Sequence, residues 1–115
     1  MLKTERPEIL KSSVREIKTP DGEMWLTVTE DSNGEPVEVF VNLGKTGGSL
    51  AAWTNAVSNL ITTMLEYNIP LTRIIEEISG ITSDKLYLYK NGIKIRSGPE
   101  GISHGLYLYM TQDRK

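Results

Sequence analysis

Glu23-Met24-Trp25-Leu26-Thr27-Val28-Thr29-Glu30 alternates its side chains with a period of two. Met24, Leu26 and Val28 share one face and Trp25, Thr27 and Thr29 the other, the pattern of a strand with one buried side. Just upstream, Thr19-Pro20-Asp21-Gly22 reads as a turn, because proline presets φ and glycine accepts a positive φ. Before that turn, Val14 to Lys18 alternates imperfectly and predicts a short strand. Downstream, Asp31-Ser32-Asn33-Gly34-Glu35 reverses the chain, and Val37, Val39, Val41 and Leu43 again line one face. The three segments predict an antiparallel meander.

The periodicity then changes. Gly44-Lys45-Thr46-Gly47-Gly48-Ser49 ends the last strand and opens a helix, whose apolar stripe is Leu50, Trp53, Val57, Leu60, Ile61, Met64 and Leu65. Asn55, Ser58, Asn59 and Glu66 fall away from that stripe, and Asn68 and Pro70 stop the helix. A second, shorter helix follows, with Thr72 as its N-cap, Gly80 as its C-terminal punctuation, and Ile74, Ile75 and Ile78 on its buried side. Leu86-Tyr87-Leu88-Tyr89-Lys90 and Ile93-Lys94-Ile95-Arg96 flank Asn91-Gly92, a strong hairpin signal. A two-residue loop there sets Lys90 opposite Ile93, Tyr89 opposite Lys94, Leu88 opposite Ile95 and Tyr87 opposite Arg96. After Ser97-Gly98-Pro99-Glu100, Pro99 suits a first helical position, and Ile102, Leu106 and Tyr109 have helical spacing. Leu106-Tyr107-Leu108-Tyr109 also fits a strand; a short C-terminal helix is the preferred reading. The fold class is α+β: an N-terminal β-meander, two consecutive helices, a C-terminal hairpin and a tail helix. Residues 1–13, charged and carrying Pro7, read as a flexible arm ahead of a single domain over 14–115.

Composition narrows the function. At 115 residues, 38% hydrophobic and 24% charged, the chain matches an ordinary single globular domain. It has no cysteine, which removes disulfides, thiolate metal sites and thiol nucleophiles together and fits a reducing, cytoplasmic setting. No apolar run approaches membrane-span length, and the N-terminal residues lack the pattern of a secretory signal. A net charge of −2 disfavours binding to long nucleic acid, which requires many phosphates to be neutralised. A local basic patch for a small anion remains compatible with it.

Two features suit an anionic ligand. The predicted hairpin register puts Tyr87, Tyr89, Lys94 and Arg96 on one face, two aromatic rings beside two cations, an arrangement fit for a stacked base with phosphates on Lys and Arg. An amphipathic ribbon with Leu86, Leu88 and Ile95 packed inward accounts for the same pattern. The joint formed by Lys45, Thr46, Gly47, Gly48 and Ser49 aims backbone N–H groups and a helix N-terminus at one point. It lacks the spacing of a nucleotide-hydrolysing P-loop, and a tight turn with a Ser49 cap explains it equally. His104 is the sole histidine and has no metal-ligand or nucleophile partner in the pattern. Arg15 and Arg73 qualify as phosphate contacts only if the fold brings them to the hairpin or the glycine loop. Trp25 and Trp53 read as core or subunit-contact residues, and the wide apolar arc of the first helix, with Ala51, Ala52 and Ala56, suits a second subunit.

Thr19-Pro20-Asp21-Gly22, the run from Gly34 to Gly48, Gly80-Ile81 and Arg96-Ser97-Gly98-Pro99-Glu100 together resemble the TSCPD domain. That family forms the C-terminal region of adenosylcobalamin-dependent ribonucleotide reductases and also occurs as small free-standing proteins. Glu38 to Gly48 is the most specific part. The resemblance implies cysteines where this chain has Asp21, Ser49, Ser83 and Gly98. All four are replaced, as expected of one unit lost together, and oxygen ligands do not substitute for a thiolate set. Reductase activity is therefore not implied, whereas the fold and an association with nucleotides are.

These readings converge on a non-catalytic, homo-oligomeric module that binds a nucleotide-like small molecule, with no metal, no cofactor, no long nucleic acid and no membrane. One concrete form is a phage protein that sequesters a nucleotide immune signal in the host cytoplasm. The alternative is an accessory module docked on a ribonucleotide reductase.

Overall fold

The computed structural model describes residues 10–43 and 48–113. The N-terminal segment folds as predicted, into strands β1 (Lys11–Thr19), β2 (Gly22–Glu30) and β3 (Pro36–Leu43) in the order β1-β2-β3, each antiparallel to its neighbour. β1 is longer than its alternation suggested. It starts at Lys11, so residues 11–13, expected in the arm, pair with Glu30, Thr29 and Val28. The β1–β2 turn is closed by Thr19, whose Oγ1 donates to the Gly22 carbonyl at 2.9 Å and accepts from the Asp21 N–H at 3.1 Å. In the β2–β3 turn, Asp31 Oδ1 accepts from the N–H groups of Asn33 (2.8 Å) and Glu35 (3.0 Å).

Helix α1 (Gly48–Glu66) lies over β3, and α3 (Gly98–Leu108) lies over β1 and β2 on the same face of the sheet. α2 (Leu71–Ile78) packs against α3, and a π-helical turn, Tyr109–Asp113, ends the described chain. The core is the inner row anticipated from the alternation, Met24, Leu26, Val28, Val39, Val41 and Leu43, closed by Ile61, Ile74, Ile102, Leu106 and Tyr109. The tail is thus helical, with the spacing of its apolar residues deciding against a strand. Ser97 caps it, its Oγ accepting from the Glu100 N–H at 3.0 Å. None of the helices among the described residues is long and apolar enough to cross a membrane.

Two assignments on the helices change. Leu60, placed on the apolar stripe of α1, is 65% exposed, whereas Ser58, placed on its polar side, is buried. The cause is the edge of β3. The Val41 N–H points away from β2 and needs an acceptor, which Ser58 Oγ supplies at 2.9 Å while donating to the Thr54 carbonyl at 2.7 Å. Thr62 Oγ1 serves the Val39 N–H and carbonyl in the same way, both at 3.1 Å. Helix α1 therefore covers a sheet edge with hydroxyls, one remedy for unpaired strand groups. Ser58→Ala leaves a buried N–H without an acceptor and lowers the unfolding free energy by about 1–3 kcal/mol, measured by urea denaturation. In α2 the N-cap is Pro70, not Thr72, which sits inside the first turn.

Candidate functional site

The hairpin strands are β4 (Tyr87–Leu88) and β5 (Lys94–Ile95), paired Tyr87 to Ile95 and Leu88 to Lys94. This register is one residue from that predicted by a two-residue loop. The Tyr89 N–H donates to the Ile93 carbonyl at 2.8 Å and the Gly92 N–H to the Tyr89 carbonyl at 3.0 Å, so the loop is Lys90-Asn91-Gly92. Gly92 sits at φ +92°, the position that a three-residue loop gives to glycine. A shift of one residue moves one strand's side chains to the opposite face. Ile95 is almost fully buried, and burying it brings Tyr87 and Tyr89 inward beside it. Leu88, Lys94 and Arg96 take the outer face and are exposed. The tyrosines and the two cations expected beside them are therefore on opposite faces of the ribbon.

The tyrosines acquire different cations. Their rings meet edge to face, 5.1 Å apart at 71°. The Tyr89 hydroxyl accepts the Lys18 N–H at 2.7 Å, which latches the hairpin to the free edge of β1. Between hairpin and strand runs a groove of about 510 Å³ lined by Lys18, Tyr87, Leu88, Tyr89, Lys90 and Asn91. Two half-buried rings flanked by Lys18 and Lys90 can stack a flat ring system and compensate negative charge on it. Neither lysine is recognisable in the sequence as part of a site. Lys18 reaches the hairpin only through a contact spanning 71 residues.

His104 adjoins this groove, its ring 6.4 Å from that of Tyr89. It also lines a second groove of about 290 Å³ with Ile75, Ile93, Ile95, Ser103 and Tyr107 among its walls. Burial first, and the Arg15 guanidinium second, hold His104 below its ordinary value of 6.5. A depressed histidine is neutral in the fold, so its contribution to stability is complete above about 6.5 and is lost as the pH falls through the folded-state value. Arg15 on β1, Lys94 on the hairpin and Glu100 one turn back on α3 are the charged groups around it. The thermal midpoint should fall more between about pH 7 and pH 5 in the wild type than in His104→Gln.

Of the other candidates, Gly48 and Ser49 open α1, with Gly48 at φ +61° and Ser49 exposed, while Lys45, Thr46 and Gly47 lie outside the described residues. Arg73 forms an ion pair with Glu77 one turn along α2. Trp25 is 40% exposed on the uncovered face of the sheet. Trp53 is packed inward, and its role is new. A Cβ built on Gly98 would lie 2.7 Å from the Trp53 ring and 3.3 Å from Asp21 Oδ2. Ser83 is tied to the same corner, its N–H and Oγ both donating to the Arg96 carbonyl, at 3.0 and 2.6 Å. Of the positions where the resemblance implies cysteine, Asp21 and Gly98 are thus neighbours, with the indole packed against Gly98, and Ser83 is bonded two residues before Gly98. Among the described residues no three His, Asp or Glu side chains gather as a metal ion requires.

The family model of the TSCPD domain matches residues 2–110, nearly the whole chain. No curated protein and no solved structure matches it.

Proposed function

Because the chain belongs to the TSCPD domain family, we propose that it is a non-catalytic module holding a flat, anionic, nucleotide-like molecule in the groove between the hairpin and β1. One observation carries this reading: the fold places Tyr87 and Tyr89 in a common groove with Lys18 and Lys90. Aromatic faces tolerate any base, and lysines at the groove margins favour phosphate without dictating one geometry. The groove volume of about 510 Å³ lies within the range that small-molecule sites occupy. The family's tie to ribonucleotide reductases supports a nucleotide as the ligand class. Sequestration of a nucleotide signal by a phage-encoded, oligomeric form is the concrete biological version of this reading.

Isothermal titration with adenosine and guanosine mono- and triphosphates and cyclic dinucleotides tests it. Saturable binding that weakens with added salt, with the nucleotide recovered unchanged, is the expected result. Absence of heat across the whole panel, or turnover of the bound nucleotide, overturns it. Family membership also supports a second reading, an accessory module docked on a ribonucleotide reductase; a stoichiometric large partner on purification from the native host would decide for it.

A further inference from the structure

The slipped hairpin register leaves a face that the ligand reading does not use. Leu88, 57% exposed, stands opposite Lys94, and alternation sets Leu86, 52% exposed, with Arg96 on the same outer side. Two uncovered leucines among cations on the outer face of a two-stranded ribbon are an apolar patch with a charge label. Its chemical complement is on the same chain. The β2–β3 turn and the corner between α1 and α2 enclose a groove of about 370 Å³. Val37, Leu65, Ile69 and Met110 give it an apolar floor, and Asp31 and Glu35 stand on its rim. Among the described residues the lining contains no basic side chain. Asp31 is held there by the turn it closes.

The two features cannot meet within one molecule. The hairpin is latched at Lys18, beside the β1–β2 turn, and the groove begins at Asp31, at the other end of β2. With Lys18 paired to Glu23, the separation along the strand to Asp31 is about 27 Å at about 3.4 Å per residue. We propose that the chain associates head to tail, the leucine–cation face of one copy's hairpin seating in the acidic groove of the next. Such a contact is heterologous, so it propagates unless the rotation closes a ring. The open sheet face also exposes Val14, Trp25 and Phe40, but nothing on it selects an occupant. The hairpin and the groove select each other by charge and by apolar shape. The contact is independent of whether the tyrosine groove holds a ligand.

Charge reversal separates the two halves of the contact. Sedimentation velocity at low salt over a wide range of protein concentration should show wild-type association that weakens as salt is added. Lys94→Glu spoils the arm and Glu35→Lys the groove; each should lower the association constant by about tenfold or more while leaving the thermal midpoint in place. In an equal mixture of the two variants the intact arm of one meets the intact groove of the other, and the reversed arm meets the reversed groove with charges again opposite, so association should be recovered. Wild type that stays monomeric at its highest soluble concentration overturns the proposal. So does association that survives both reversals, is lost in Phe40→Glu instead, or is not recovered in the mixture.

Discussion

Gly105→Val should lower the thermal unfolding midpoint by roughly 10 °C or more, the largest change expected of any single substitution in the helices. A Cβ at that position would lie 2.6 Å from Leu26 Cδ2 and 3.2 Å from Ile17 Cγ1. Both side chains belong to the sealed core, exposed by only 1% and 2%, so neither has space to retreat. A Cβ on Gly101 would lie 2.7 Å from Thr19 Cγ2 and 3.0 Å from Met24 Cε, and one on Gly98 would lie 2.7 Å from the Trp53 ring. Spaced three and four residues apart, the three glycines form one face of α3; Gly101 and Gly105 let its backbone lie directly on the sheet, and Gly98 lets it meet the Trp53 ring of α1. Each costs about 1 kcal/mol of helix propensity relative to alanine, an expense that only close packing offsets. Gly105→Ala tests the balance, since it regains propensity but still needs Leu26 to shift. Combining Gly105→Val with Leu26→Ala should recover part of the loss, because the second change vacates the space that the first demands. A Gly105→Val protein that melts within a few degrees of wild type would show that the helix does not sit as close to β1 and β2 as described.

The glycine face marks a limit of pattern reading. The buried valines and leucines of β2 and β3 are legible because a one-sided sheet imposes a period of two, and Ile102, Leu106 and Tyr109 are legible because a helix imposes its own. Nothing in such periods says that Gly101 and Gly105 are contact residues, since a glycine has no side chain to classify. Polarity alone misplaces Ser58 and Leu60 for a related reason. Polarity sorts residues by water, whereas the exposed edge of β3 sorts them by hydrogen bonding, and a buried N–H outranks one leucine's exposure. The candidate site was half legible. Tyr87 and Tyr89 were identified from the hairpin, but Asn91-Gly92 is compatible with loops of two or three residues, and the choice falls to the burial of Ile95. That tertiary preference exchanged Lys94 and Arg96 for Lys18 and Lys90 as the cations beside the rings.

The exchange of cations yields the sharpest prediction for binding. Lys18→Glu and Lys90→Glu should each weaken nucleotide affinity by about tenfold or more, because a favourable charge at the groove margin becomes a repulsive one. Lys94→Glu and Arg96→Glu, on the outer face, should leave it within about twofold, since exposed charges across the ribbon are screened by solvent. Tyr87→Ala and Tyr89→Ala should cost about 1–3 kcal/mol each, the usual worth of an aromatic platform under a base. Tyr89→Phe divides that residue's two duties. The ring stays, but the hydroxyl that accepts the Lys18 N–H at 2.7 Å is gone. If the ring acts directly on the ligand, affinity in Tyr89→Phe stays near wild type while amide exchange at Lys18 accelerates. If it acts only by latching the hairpin to β1, Tyr89→Phe loses as much affinity as Tyr89→Ala. Titration of all seven single variants against one nucleotide resolves the matter. Loss of binding in Lys94→Glu with retention in Lys18→Glu and Lys90→Glu would restore the two-residue-loop register in solution and remove the groove at β1 as the binding site.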